Sequence, residues 1–386
     1  MTTPKKTRVT LLAGARSTEH EVSLVSAYNI AKAIDRTKYH VDIVGISKDG
    51  IWRQYDPENF VDHPESVGTA VLSSKPLSGR LAVTQCSNKF YDIDNGGKPV
   101  IECDVIFPAV LGNYAEDGTL QGLLRMMDVP FTTPDVLGSS VGMDKDVAYR
   151  LMRDAGICVA NFVTLRKGHD IPTFADVMKK IGGDVAFVKP SNAGSSVGVT
   201  RVTNQTEYEA ALDHAFHYDV KVIVQAGILG REVEISVMGN MGSHEASVVG
   251  EIITVKQNDF YSYGNKYINS TETSKLIAPA DITPELYGEI SETAVRVCEV
   301  LECEGFGRVD FFISADGQLH VNEINTMPGF TSISMFPKLW GLTGLEYPDL
   351  IDKLLQLAIE RHTYRIAPMI LDASDVLAVA KKAGAI

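Results

Sequence analysis

The chain has 386 residues, 45 % of them hydrophobic and 22 % charged, and a formal net charge of −13. That length exceeds one compact core and predicts two or three domains of a globular rather than a disordered protein. The negative field argues against nucleic acid and anionic membranes as partners, yet permits a nucleotide wherever basic residues cluster. The five cysteines are odd in number and lack metal-ligand spacing, which predicts reduced thiols and a cytoplasmic protein. The basic start runs directly into Val9-Thr10-Leu11-Leu12, so neither an export signal nor a membrane span is expected.

In chain order, a buried strand over 8–13, a Gly/Ser turn, a helix over 19–34 and a strand over 41–46 open a doubly wound parallel sheet. The turn carries Arg16-Ser17-Thr18-Glu19-His20-Glu21, at the carboxyl end of a strand where such sheets take ligands. One of Glu19 and Glu21 is expected to complement the helix N-terminus and the other to receive a ligand ammonium. Residues 53–100 are rich in Asp, Pro, Ser and Gly and predict loops with a minor hairpin; a strand over 104–110 and a helix over 116–127 follow. A compact α+β unit comes next, with helices over 144–155, 173–181 and 207–216 and strands over 162–165, 185–188 and 220–224. Strands over 233–238 and 247–253, a helix over 284–301, a hairpin and a helix over 347–361 complete the chain, apart from an apolar tail after residue 366.

Three segments carry chemistry. Lys189 ends a strand and leads into Ser191-Asn192-Ala193-Gly194-Ser195-Ser196-Val197-Gly198. Backbone N–H groups and an ammonium can hold polyphosphate there, although the pattern is neither a Walker loop nor a Rossmann fingerprint, and a hairpin tip reads the same way. Phe260 to Tyr267 holds three tyrosines and Lys266, which suits an active-site lid or an exposed loop with packing tyrosines. Finally, Gly307-Arg308-Val309-Asp310 and Val321-Asn322-Glu323-Ile324-Asn325 flank the Ala315-Asp316-Gly317 turn. Glu323 and Asn325 are two apart and share a strand face, where Asp310 can join them across the hairpin. Three oxygen donors without histidine or cysteine suit magnesium; a solvated hairpin with ordinary surface charge is the other reading.

These segments, with Glu116-Asp117-Gly118-Thr119-Leu120-Gln121-Gly122, Met143-Asp144-Lys145 and Glu323-Ile324-Asn325-Thr326-Met327-Pro328-Gly329, resemble the D-alanine–D-alanine ligases of the ATP-grasp superfamily, in order from about residue 8 to 363. The resemblance implies a doubly wound α/β N-terminal domain over 1–138, then α+β subdomains over 139–225 and 226–386 that sandwich ATP. It implies a cytoplasmic ligase that makes D-alanyl-D-alanine for peptidoglycan through an acyl phosphate, commonly as a homodimer. By the same resemblance Asp310, Glu323 and Asn325 hold two Mg²⁺ or Mn²⁺, and Lys145, Lys189, Ser196, Gln225, Glu232, Tyr261 and Lys266 bind ATP. Glu19 receives the first substrate's ammonium and is linked through Ser195 to Tyr267; Arg308 neutralises the acyl phosphate and the oxyanion; Gly329, Ser334 and the Met335 backbone face the second substrate.

The chain also departs from that pattern. Leu111 stands where the family has a histidine near the first amino acid, Thr132-Thr133-Pro134 replaces a Gly-Ser turn, and Gln225 replaces a glutamate at the adenine edge. An amino-acid ligase of altered first-substrate specificity is therefore the alternative, and a non-catalytic nucleotide-binding relative the third option. Tyr267, where a family phenylalanine goes with D-lactate, predicts an amide rather than an ester product.

Overall fold

The computed structural model describes residues 5–254 and 274–366 and residue 381. Val9, Leu11, Leu12 and Ala13 are fully buried in the first strand, Thr7–Gly14, an apolar run typical of parallel strands covered on both faces. Parallel partners flank it, Tyr39–Ile46 on one side and Val105–Pro108 on the other, and Trp52–Tyr55 adds an antiparallel edge. The helix His20–Ala33 makes the crossover between the first two strands.

Two antiparallel sheets follow. The first runs Phe162–Arg166, Lys221–Ala226, Ala186–Pro190, Thr200–Val202; the second runs Ser274–Ile277, Glu245–Thr254, Gly230–Gly239, Gly305–Ser314, Leu319–Asn325. Phe107 of the parallel sheet meets Phe330 edge-on at 5.6 Å, and Phe330 meets Phe306 of the five-stranded sheet at 5.7 Å. Such aromatic contacts bury much area per residue and set the two units in one orientation. No helix among the described residues is long and apolar enough to cross a membrane.

Most predicted elements sit within a few residues of their expected places. Segment 53–100 holds more structure than the expected minor hairpin. It contributes Trp52–Tyr55 to the main sheet, pairs Val61–Asp62 with Val71–Leu72, and forms a three-stranded sheet of Leu81–Val83, Lys89–Asp92 and Lys98–Glu102. Strands this short carry no readable alternation, and side chains organise their turns: Asp92 accepts from Gly79 N–H at 2.9 Å and from Asn95 Nδ2 at 2.8 Å. The helix expected from residue 116 starts at Thr119, because Gly118 takes a left-handed φ of 89°. Among the described residues two helices escaped the sequence reading, Val136–Met143 and Met335–Thr343. The former contains two glycines and two serines, poor helix formers, and depends on Asp135 capping Val136 N–H at 2.7 Å. At Gly138 a Cβ would lie 2.2 Å from the Glu302 carbonyl, so only glycine permits that approach.

Candidate active site

The central strands of the five-stranded sheet stack their polar side chains in cross-strand rows. Asp310 pairs with Glu323 on one side and Glu234 on the other; Arg308, one pleat earlier, pairs with Asn325 and Ser236. Residues two apart share a face, so Glu234, Arg308, Asp310, Glu323 and Asn325 converge. The Arg308 guanidinium forks onto Asp310, with Nε 2.7 Å from Oδ1 and Nη2 2.8 Å from Oδ2, and Nε lies 3.1 Å from Glu234 Oε2. Glu323 Oε2 lies 3.1 Å from Lys145 Nζ.

Lys145 begins the helix Lys145–Asp154, capped by Asp144, whose Oδ1 accepts from Val147 N–H at 3.2 Å and from Ser191 Oγ at 2.8 Å. Lys145 Nζ also donates to the Ala193 carbonyl at 2.9 Å, which ties the helix to the Gly/Ser loop. Burial, the largest influence, pushes this ammonium down, but Glu323, Tyr149 and Glu116 together outweigh it and hold its pKa above the ordinary value. Lys189 behaves oppositely: burial first, and the Lys145 charge second, pull it down to about 7. Its Nζ donates to Tyr149 Oη at 3.1 Å, and that hydroxyl donates to the Asn322 carbonyl at 2.6 Å.

Within the loop Ser195 and Ser196 adopt φ of +50° and +58°, left-handed values that cost a non-glycine residue about 1 kcal/mol or more each. Ser195 Oγ donates to Glu19 Oε1 at 2.5 Å, joining the loop to the first strand–helix turn. Of the two turn carboxylates, Glu21 pairs with Lys48 at 2.5 Å from the first turn of its helix, while Glu19 faces the loop. Glu116 is buried nearby. Burial, then the Glu19 carboxylate, raise its pKa well above the usual range against the opposing pull of Lys145. Leu111 is buried too, its carbonyl accepting from Ser17 Oγ at 2.6 Å. The Thr133-Pro134 departure is braced from the C-terminal helix Tyr347–Ile366, where Arg361 Nη2 donates to the Phe131 and Thr133 carbonyls at 2.6 Å each.

A cleft of about 510 Å³ opens between the two antiparallel sheets. Lys145, Lys189, Ser196, Gln225, Glu232, Asp310 and Glu323 line it, with Phe187, Ile228, Ile252 and Phe312 as apolar walls. Polar groups converging from apolar walls are the ordinary build of a nucleotide-sized site. The Ser334 hydroxyl bonds Thr331 Oγ1 at 2.8 Å and leaves the N-terminal N–H groups of the helix Met335–Thr343 uncapped by its side chain. A Cβ on Gly329 would approach Ser334 Oγ to 2.9 Å. Tyr261, Lys266 and Tyr267 lie outside the described residues.

Among the described residues no three His, Cys, Asp or Glu side chains form a ready-made metal cage. Magnesium asks less than that, needing one or two carboxylates beside substrate phosphates. Asp310, Glu323 and the Asn325 amide are such an all-oxygen set, and each carboxylate already faces a cation. The residues fit the ion.

Sequence reasoning missed Glu234, Tyr149 and the apolar cleft walls. Alternation within Gly230–Gly239 places Glu234 on the Glu232 face, a signal that was available; Tyr149 carried none until the fold brought its helix under Lys189.

Comparison with known proteins adds a family pattern. The model described as "D-ala D-ala ligase N-terminus" matches residues 8–134, and that described as "D-ala D-ala ligase C-terminus" matches residues 151–356. D-alanine–D-alanine ligase A of Escherichia coli (strain K12) is 46 % identical over 93 % of this chain and 97 % of its own. The D-alanine–D-alanine ligase of Proteus mirabilis is 44 % identical over 92 % of this chain and 96 % of its own. Among solved structures, the D-alanine-D-alanine ligase from Coxiella burnetii superposes with a TM-score of 0.77 at 31 % identity, covering 94 % of this chain and 98 % of that one. The VanG D-Ala:D-Ser ligase from Enterococcus faecalis does so with 0.78 at 34 %, covering 92 % and 100 %.

Proposed function

Because the chain belongs to the D-alanine–D-alanine ligase family, we propose that it joins two D-alanines at the expense of ATP, supplying D-alanyl-D-alanine for peptidoglycan synthesis. The observation that carries this reading is the unbroken line of contacts from Glu19 through Ser195 and the loop to Lys145, Glu323, Asp310 and Arg308. That line supports reading an ammonium acceptor and a phosphate centre as parts of one site.

On this reading a carboxylate oxygen of the first D-alanine attacks the γ-phosphorus of ATP, the bond from that phosphorus to the bridging oxygen breaks, and ADP leaves. The second D-alanine's amine then attacks the acyl carbon, a proton leaves the nitrogen, the C–O bond to phosphate breaks and inorganic phosphate departs. Glu19 holds the first ammonium, positioned by Ser195. Lys145, Lys189 and Ser196 face the phosphates, Glu232 the ribose and Gln225 the adenine edge. Arg308 faces the charge that develops on the acyl phosphate and the tetrahedral oxyanion, where a planar, permanently charged fork suits two oxygens at once. Gly329, Ser334 and the Met335 N–H receive the second carboxylate, at a helix N-terminus that favours anions. Asp310, Glu323 and Asn325 would hold two Mg²⁺ or Mn²⁺, which when bound neutralise phosphate charge. The parts expected of Tyr261, Lys266 and Tyr267, and the amide product predicted from Tyr267, belong to the same reading.

The domain limits 1–138, 139–225 and 226–386, a homodimer and a cytoplasmic location go with it; limited proteolysis, light scattering and fractionation test them. A second reading, altered first-substrate specificity, is favoured by the apolar Leu111 close to the Glu19 turn. ADP release from the purified protein with D-alanine, L-alanine, D-serine, D-lactate or glycine decides. Release with D-alanine alone supports the first reading, release with another member alone supports the second, and silence across the panel despite ATP binding defeats both.

A further inference from the structure

We infer that Glu234 is a positioning residue for the ligation step: it keeps the Arg308 guanidinium in place when Asp310 turns its oxygens to the metal. The inference rests on the ligase reading above.

Glu234 sits in the central strand directly across from Asp310, and its side chain is 2 % exposed. A carboxylate withdrawn from water this far is costly unless it is paired, and Arg308 Nε stands 3.1 Å from its Oε2. Glu232, Asp310 and Glu323 line the cleft, and Glu234 does not. The guanidinium it faces is that of Arg308.

The need for such a partner follows from the geometry. Arg308 spends two N–H groups on the Asp310 carboxylate, at 2.7 and 2.8 Å. Those oxygens are the ones a hard dication would take. A dication draws the same lone pairs that the guanidinium now uses, so Arg308 must either compete with the metal or be held elsewhere. Glu234, in the same cross-strand row but outside the cleft, holds it elsewhere. It also balances the charge, because the row Glu234–Asp310–Glu323 sets three carboxylates side by side, an arrangement that repels without intervening cations.

The test is Glu234→Gln, which keeps shape and removes charge, measured beside Glu234→Asp and the exposed control Glu245→Gln. Removing the charge of one member of a buried ion pair leaves the guanidinium less firmly held, so kcat is expected to fall about 10- to 100-fold in Glu234→Gln with KM for ATP changed less than about twofold. Glu234→Asp recovers part of the loss, and Glu245→Gln changes nothing. Because Glu234 acts through Arg308, the double variant Glu234→Gln/Arg308→Gln should be no slower than Arg308→Gln alone. Mn²⁺ binding, read by electron paramagnetic resonance with a non-hydrolysable ATP analogue, should weaken about fivefold in Glu234→Gln, since Arg308 then competes for Asp310. An unaltered kcat, additive losses in the double variant, or unaltered Mn²⁺ affinity each overturn the inference. Wild-type ADP release tests the ligase reading separately. Were it absent with every amino acid, that reading would fail and the Mn²⁺ measurement would still decide the role of Glu234.

Discussion

Lys189 is the residue through which pH should act on ATP use. The residue is 7 % exposed, and its ammonium is bonded to the Tyr149 hydroxyl at 3.1 Å and pulled by burial and Lys145 to a pKa of about 7. An ordinary lysine titrates near 10.4 and is fully charged at neutrality, whereas half of the Lys189 population is neutral at about pH 7. Only the ammonium offers charge to a phosphate. Since kcat/KM reports the free enzyme, kcat/KM for ATP should fall about fivefold from pH 7 to 8 and about fiftyfold from pH 7 to 9, the protonated fraction dropping from about one half to one eleventh and one hundredth. The assay is coupled ADP release at saturating D-alanine from pH 6 to 9. ATP and the substrate amine titrate too, so the profile is divided by that of Lys189→Arg, whose charge persists throughout. A wild-type to Lys189→Arg ratio that stays constant between pH 7 and 9 refutes the reasoning. Stability gives an independent sign. The folded pKa lies below the unfolded one, so the unfolded chain binds more protons between about pH 7 and 10.4 and stability rises with pH across that window. Lys189→Met should therefore melt above wild type at pH 7, by a margin that shrinks toward pH 10.

Ser195→Ala removes the 2.5 Å hydrogen bond to Glu19 and should raise KM for the first D-alanine about tenfold, with KM for ATP unchanged in initial-rate kinetics. Glu116 has its folded pKa raised, so it favours the folded state below the ordinary carboxylate pKa and loses that advantage as pH climbs through the folded value. Glu116→Gln should accordingly gain in melting temperature over wild type as pH is raised from 5 to 8; a constant difference would count against the buried carboxyl. Phe311 is fully buried in the core of the five-stranded sheet, and Phe311→Ala should cost about 3–5 kcal/mol, read as a lower urea midpoint at unchanged slope.

Much of the oxygen-donor cluster was legible because it is local. Asp310, Glu323 and Asn325 lie on adjoining strands of one hairpin, where an alternation of two and one turn determine which side chains share a face. Glu234 lies far upstream, and only the antiparallel register of Gly230–Gly239 with Gly305–Ser314 brings it to Asp310 and Arg308. The Gly/Ser loop left two readings open in the sequence. In the structure Lys145 and Glu19, on two other elements, bond to the loop, and its Ser196 lines the cleft. The helix Val136–Met143 was unreadable since its stability comes from an Asp135 cap and a close approach to Glu302 rather than from propensity.

By itself the sequence determined the chemical inventory: oxygen donors without histidine or cysteine, lysines at a strand end and a helix start, and an arginine two residues from a carboxylate. These are properties of residue type and short spacing, which survive without knowledge of the fold. The tertiary structure alone decided what each group is charged with and against whom. Lys189 and Lys145 are the same residue type, yet one is held near neutrality and the other firmly charged, because burial acts on both and only Lys145 has Glu323 at 3.1 Å. Desolvation and ion pairing depend on what the rest of the chain packs around a group, and that is written in long-range contacts rather than in neighbours along the chain.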